Sequence, residues 1–267
     1  MRDIKEHFEY QNFPFQSAEY EKFGINFSTG GAHISKTMML KELEAILLNV
    51  PLGSTKNEYS EAIVNRNILN KGTESTRFES MRRLRSLYCL DEGVPIFYAL
   101  RKLFSIDKNS LPFLALLVVW ARDPFFRSTT SSILNLSAGE EIQTSVLSNA
   151  FEAAYPGQYS LLSKGTTARN CASTWAQVGY LTGHKKKSRC LIKPTSVAVT
   201  MALYIGSSTG FHGLAVFENP WCKLLDLSAD RAKSIGQEAH RIGLLNLRAI
   251  GEVVELNFPM LETQMES

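Results

Sequence analysis

The 267-residue chain is short of several things, and each shortage narrows what it can be. Its four cysteines, Cys89, Cys171, Cys190 and Cys222, form no CxxC pair. That argues against a disulfide scaffold and suits a reducing, cytoplasmic setting. Long apolar runs are missing too. A membrane span needs about 20 such residues, whereas Leu111–Ala121 contains Pro112 and is closed by Arg122. We read it as a buried helix and expect no membrane partner. Met1–Tyr10 carries three acids and no apolar run, so no secretory signal is expected.

Catalytic signatures are also scarce. There is no HExxH and no GxSxG, and Gly30-Gly31 lacks the further glycines and lysine of a phosphate loop. Cys171, His184, Cys190 and Cys222 are spaced by 13, 6 and 32 positions, which matches no familiar zinc pattern. His33, His212 and His240 stand alone, and Cys171, Trp120, Trp175 and Trp221 sit at core spacing. The expectation is a non-enzyme with no cofactor and no metal.

The most informative shortage is of acid. No Asp or Glu occurs across residues 153–217, while Lys164, Arg169, Lys185, Lys186, Lys187, Arg189 and Lys193 supply seven positive charges. This stretch carries +7 in a chain whose net charge is +3, so the remainder is −4. A mildly acidic protein carries one basic module. Such a local footprint points to nucleic acid.

What is present is ordinary globular material, 44% apolar and 21% charged, enough for one large domain or two to three small ones. Residues 1–35 are aromatic-rich, with Phe8, Tyr10, Phe13, Phe15, Tyr20, Phe23 and Phe27, and read as an arm laid over a core. Residues 36–156 have helical period and read as an all-α bundle. Its helices are expected at about 38–48, 59–69, 76–88, 94–104, 111–121, 124–134 and 140–155. Ser75-Thr76 with Glu79 resembles a cap, and Asp123-Pro124 is a helix-start signal.

The texture changes after Pro156-Gly157, where a weak repeat begins. Ala176–Leu181 resembles Ala239–Leu245 at an offset of 64 residues. In each copy a helix should end at glycine, Gly179 or Gly243, before a hairpin and a proline. The first hairpin would pair 180–182 with 189–193 and the second 245–247 with 253–258. We read two winged helix-turn-helix-like units, over 157–200 and 201–267.

In the first unit a short helix over 159–164 would precede a recognition helix over 166–178. Ala168, Cys171, Ala172, Trp175 and Val178 make its core stripe. Arg169, Asn170, Ser173, Thr174 and Gln177 face the other way, a set suited to base edges in a major groove. Thr166 and Thr167 at the helix start would hold a phosphate. His184, Lys185, Lys186 and Lys187 form the hairpin tip, with Lys164 and Arg189 beside them. The bland alternatives are a solvated hairpin tip and a protein-binding module.

The second unit carries Asp230, Glu238, Glu252 and Glu255 among its basic residues. Partner binding is expected of it. Arg77, Arg82, Arg83 and Arg85 form another basic cluster. Its bland reading is a solvated face with i,i+4 pairing of Glu79 and Arg83, its sharper one a secondary DNA contact.

Several stretches together resemble the BrxA family of the bacterial BREX phage-defence systems. They are Thr29-Gly30-Gly31 before a Met/Leu-rich helix, Ser75–Leu84, Trp120–Arg127, a Trp-containing helix ending at Val178–Leu181, and Gly243–Arg248 with Gly251–Leu256. The resemblance runs from about residue 26 onward. It implies a helical region comparable to the NusB fold, a cytoplasmic bacterial location, partners among phage-defence proteins, and non-enzymatic binding of double-stranded DNA. It supplies no catalytic residues. The family's label of inner-membrane protein finds no support in this sequence. A transcriptional regulator would need dimerisation, for which no heptad or dimer helix is evident, and a protein-protein adaptor would bring the basic module to an acidic partner.

Overall fold

A computed structural model describes residues 17–28, 30–184, 186–250 and 253–261. Phe8, Tyr10, Phe13 and Phe15 of the expected arm, Thr29, Lys185 and Glu252 lie outside the described residues.

The chain is mainly helical. α1 (Ser17–Phe23) is followed by α2 (Leu40–Asn49), α3 (Lys56–Val64), α4 (Glu74–Tyr88), α5 (Pro95–Ile106) and α6 (Leu111–Arg122). Local chemistry sets their ends. Thr55 and Glu58 form a capping box on α3, and Thr73 with Thr76 does the same for α4. The α4 cap thus falls two residues before the one expected at Ser75. Prolines occupy the first turns of α5 and α6, where their missing N–H costs nothing. α6 is buried along nearly its whole length and is the axis on which α2, α4 and α5 pack.

The expected helix over 124–134 is two short ones, α7 (Pro124–Arg127) and α8 (Thr130–Leu134). Residues 140–155 differ more. Strand β1 (Glu141–Ile142) comes first and then α9 (Thr144–Ala154). α10 (Leu161–Gln177) leads into β2 (Leu181–Thr182) and β3 (Lys187–Arg189), followed by α11 (Ser196–Ser208), α12 (Pro220–Leu224), α13 (Ala229–Arg241), β4 (Asn246–Ile250) and β5 (Val253–Asn257). One antiparallel sheet has the order β1-β3-β2, the other is the β4–β5 pair.

Both expected hairpins form, in shifted registers. Leu181 faces Arg189 and Thr182 faces Ser188. β1 adds on the other side of β3, pairing Ile142 with Lys187. In the second hairpin Asn246 faces Asn257, and Arg248 faces Glu255.

Buried apolar residues from Tyr20 to Leu261 make one continuous cluster, so no break in the core accompanies the boundaries expected at 156 and 200. The described part of the arm packs on α11 through Phe23 and Tyr204, with ring centres 5.5 Å apart. Trp120 of α6 meets Trp221 of α12 edge to face at 5.4 Å, a geometry worth about 0.5–1.5 kcal/mol beyond burial. All three tryptophans are buried, as their spacing suggested.

Candidate nucleic-acid interface

α10 positions the candidate site. Its 17 residues span about 25 Å at 1.5 Å each. The Ser160 hydroxyl caps its start by accepting from the Ser163 N–H. At its end Gly179 takes φ +92, which lets the Gly179 N–H reach Ala176 and the Tyr180 N–H reach Trp175. Ala168, Cys171, Ala172, Trp175 and Val178 are buried, as the stripe required. The Trp175 indole N–H donates to Thr129 Oγ1 at 3.0 Å.

The remaining face divides into two halves. Its C-terminal half is a socket for residues 30–38. His33 is fully buried there and stacks on Phe126. Its Nδ1 lies 2.8 Å from Asp123 Oδ2 and its Nε2 lies 2.8 Å from Thr174 Oγ1. Thr174 Oγ1 also accepts from the Met38 N–H at 3.0 Å. Burial pushes the Asp123 carboxyl up. The His33 ring, with the backbone N–H groups of Phe126 and His33, outweighs this and holds it below its ordinary value. Asp–His–Thr is an order used in nucleophilic catalysis, but all three residues are at most 1% exposed. This relay fastens a strap.

The strap requires Gly31. A Cβ there would lie 2.1 Å from Asp123 Oδ1. It also claims expected base readers. Asn170 Nδ2 donates to the His33 carbonyl at 2.9 Å, and Gln177 Nε2 to Thr37 Oγ1 at 3.4 Å. Thr174 belongs to the relay, and Ser173, half-buried, sits within reach of Gln177. Asn170 is thereby drawn into packing, while Gln177 stays exposed.

Three further expectations need correction. Residues 159–164 and 166–178 do not form separate helices, because α10 runs unbroken through Gly165. Thr166 and Thr167 consequently lie inside the helix with no free N–H for phosphate, and Thr167 is buried with its hydroxyl donating to Ser163. Arg189 is 2% exposed, clasping Asp226 at 2.5 Å and lying over the Tyr180 ring. It ties the two repeat units together and is closed to DNA. Lys164 is held by Glu152 at 2.5 Å.

What stays open is the N-terminal half of α10 and the hairpin tip. Arg169 is exposed, its guanidinium donating to Thr166 Oγ1 at 3.0 Å. His184 and Lys186 are exposed and Lys187 is half-buried. Lys186 approaches Glu141 at 3.4 Å, but its side chain remains 80% exposed, so this pair restrains it little. Lys193 is exposed as well. Sequence reasoning missed Leu161 and Leu162, which stand 82% and 78% exposed on the first turn.

The α4 arginines have partners within the fold, and the Arg82 side chain remains 69% exposed. Glu79 pairs with Arg82 at 2.6 Å and Arg83 at 2.7 Å. Arg77 donates to the Val64 carbonyl, and Arg85 reaches Ser60 and the Lys56 carbonyl. They staple α4 to α3 and to themselves, in line with the bland reading. Among the described residues no three His, Cys, Asp or Glu groups converge as for a metal. Burial pushes the Cys171 thiol well up and that of Cys222 to about 12. No described helix is long and apolar enough to cross a membrane.

Compared with protein-family models and with curated proteins, the chain matches none.

Proposed function

We propose that this protein is a non-catalytic binder of double-stranded DNA, and that its first helix–hairpin unit makes the contact. The observation that carries the reading is the exposed cation set Arg169, Lys186 and Lys193, with the half-buried Lys187 beside them, within 65 residues that hold no carboxylate. Nothing in that stretch opposes phosphate. The helix α8, strand β1, helices α9 and α10, and a hairpin closing a β1-β3-β2 sheet follow the order of a winged helix. α11, α12 and α13 before β4–β5 read as a second one lacking the first strand. In such modules the third helix enters the groove and the hairpin flanks it.

The second unit carries five basic against eight acidic residues from 218 onward, which suits a protein partner. With the resemblance to BrxA proteins, the reading becomes a cytoplasmic component of a phage-defence assembly, with a NusB-like bundle over 36–156 as its scaffold. Phosphate contacts dominate non-specific affinity, and the free cations support about three to five of them. The test is mobility shift or anisotropy on unrelated duplexes over a salt series. Binding at low salt that weakens with a log–log slope of about −3 to −4 is expected. Absence of binding at low salt would overturn the reading.

A further inference from the structure

Leu161 and Leu162 are the most exposed large apolar side chains among the described residues, at 82% and 78%. They open the helix that carries the exposed Arg169. Leu162, Thr166 and Arg169 are spaced four and three apart, so they share a stripe. Arg169 folds back along that stripe. Its guanidinium bonds Thr166 Oγ1, and a Cβ at Gly165 would lie 3.4 Å from its Nη1. Glu152, the last acid before this region, is taken by Lys164.

An apolar pair on the helix of an exposed arginine, with Glu152 ion-paired to Lys164, fits a particular chemistry. We propose that Leu161 and Leu162 read the 5-methyl groups of thymine in a DNA major groove, with Arg169 beside them on a base or phosphate. Apolar side chains contact that methyl directly, and arginine is the commonest partner of guanine. This rests on the DNA-binding reading and adds a specificity that the lysine tip cannot supply.

Two other surfaces meet such a patch less well. An interfacial membrane helix needs an apolar face along its length, whereas the later turns of α10 are packed into the fold. A protein interface needs a contiguous patch of hundreds of Å², and two leucines on one turn fall short of it.

The test pairs a thymine-rich duplex with the same duplex carrying deoxyuridine, which lacks only the methyl. Wild-type protein should bind the deoxyuridine duplex about fourfold more weakly per methyl contacted. Leu161→Ala/Leu162→Ala should lose that discrimination and keep the salt slope. The DNA-side change needs no variant, so misfolding cannot mimic it. Equal binding of the two duplexes by wild type, or full discrimination by the variant, overturns the inference while leaving DNA binding intact. Failure to bind either duplex at low salt overturns both. Loss of binding to anionic phospholipid vesicles in the variant, with both duplexes unaffected, would reassign the leucines to a membrane.

Discussion

The two helix–hairpin units share a backbone plan and differ in almost everything attached to it. Each helix starts at a serine, Ser160 or Ser228, whose hydroxyl accepts from the N–H three residues on. Each ends in a glycine with positive φ, and the following N–H bonds reach the same positions, from Gly179 and Tyr180 in one and Gly243 and Leu244 in the other. Then the units part. The first has a two-pair hairpin widened by β1, a strap locked by His33, and no acid from residue 153 to residue 217. The second has a five-pair ribbon with Glu255 facing Arg248. Repetition fixes where a helix and hairpin go. Charge and burial decide what each copy can touch.

Unlocking the strap should produce the largest effect, because only the first unit has one. Asp123→Ala removes one partner of a buried polar pair and should cost about 3–5 kcal/mol in denaturant unfolding. The pH dependence follows from the lowered Asp123 value. Its contribution is complete above the ordinary 3.8 and is lost as pH falls through the lower folded-state value. Acidification below about 3.8 should therefore destabilise wild type more steeply than Asp123→Ala. Parallel curves would show that the carboxylate is not held this way.

Cutting the link between the units comes next. Arg189→Ala should destabilise by about 2–4 kcal/mol, less than a fully buried pair because Asp226 is partly open. The salt slope of DNA binding by the folded fraction should not change. A lower slope would return Arg189 to the contact surface. The smallest effect is expected outside both units. Glu79→Ala frees Arg82 and Arg83 at a cost of about 0.3–0.5 kcal/mol and should leave DNA affinity unaltered. Tighter binding would make the α4 arginines part of the track.

The helical texture, the two glycine stops, the tryptophan packing and the acid-free stretch are all legible in the sequence, since each follows from spacing or composition. What escaped depends on distant partners. Glu141-Ile142 reads as helix until β3 offers it a strand to pair with. Gly165 reads as a break between helices, yet a helix interior tolerates glycine at about 0.5–1 kcal/mol. Arg189 counts as a positive charge until Asp226, 37 positions away, neutralises it. His33 looks isolated because its partners are 90 and 141 positions away. Of seven cations in the basic stretch, a linear reading cannot tell the exposed Arg169 from the buried Arg189. The leucines went unnoticed because apolar residues at a helix start normally pack.

The contrast between the units is tested most directly by salt slopes measured in parallel. Lys186→Ala/Lys187→Ala in the first unit should lower the slope by about two, at roughly 0.9 per lost phosphate contact. Arg231→Ala/Lys233→Ala, the same charge loss in the second unit, should leave it as in wild type. Equal slopes for the two variants, or a loss confined to the second, would contradict the claim that the first unit holds the DNA.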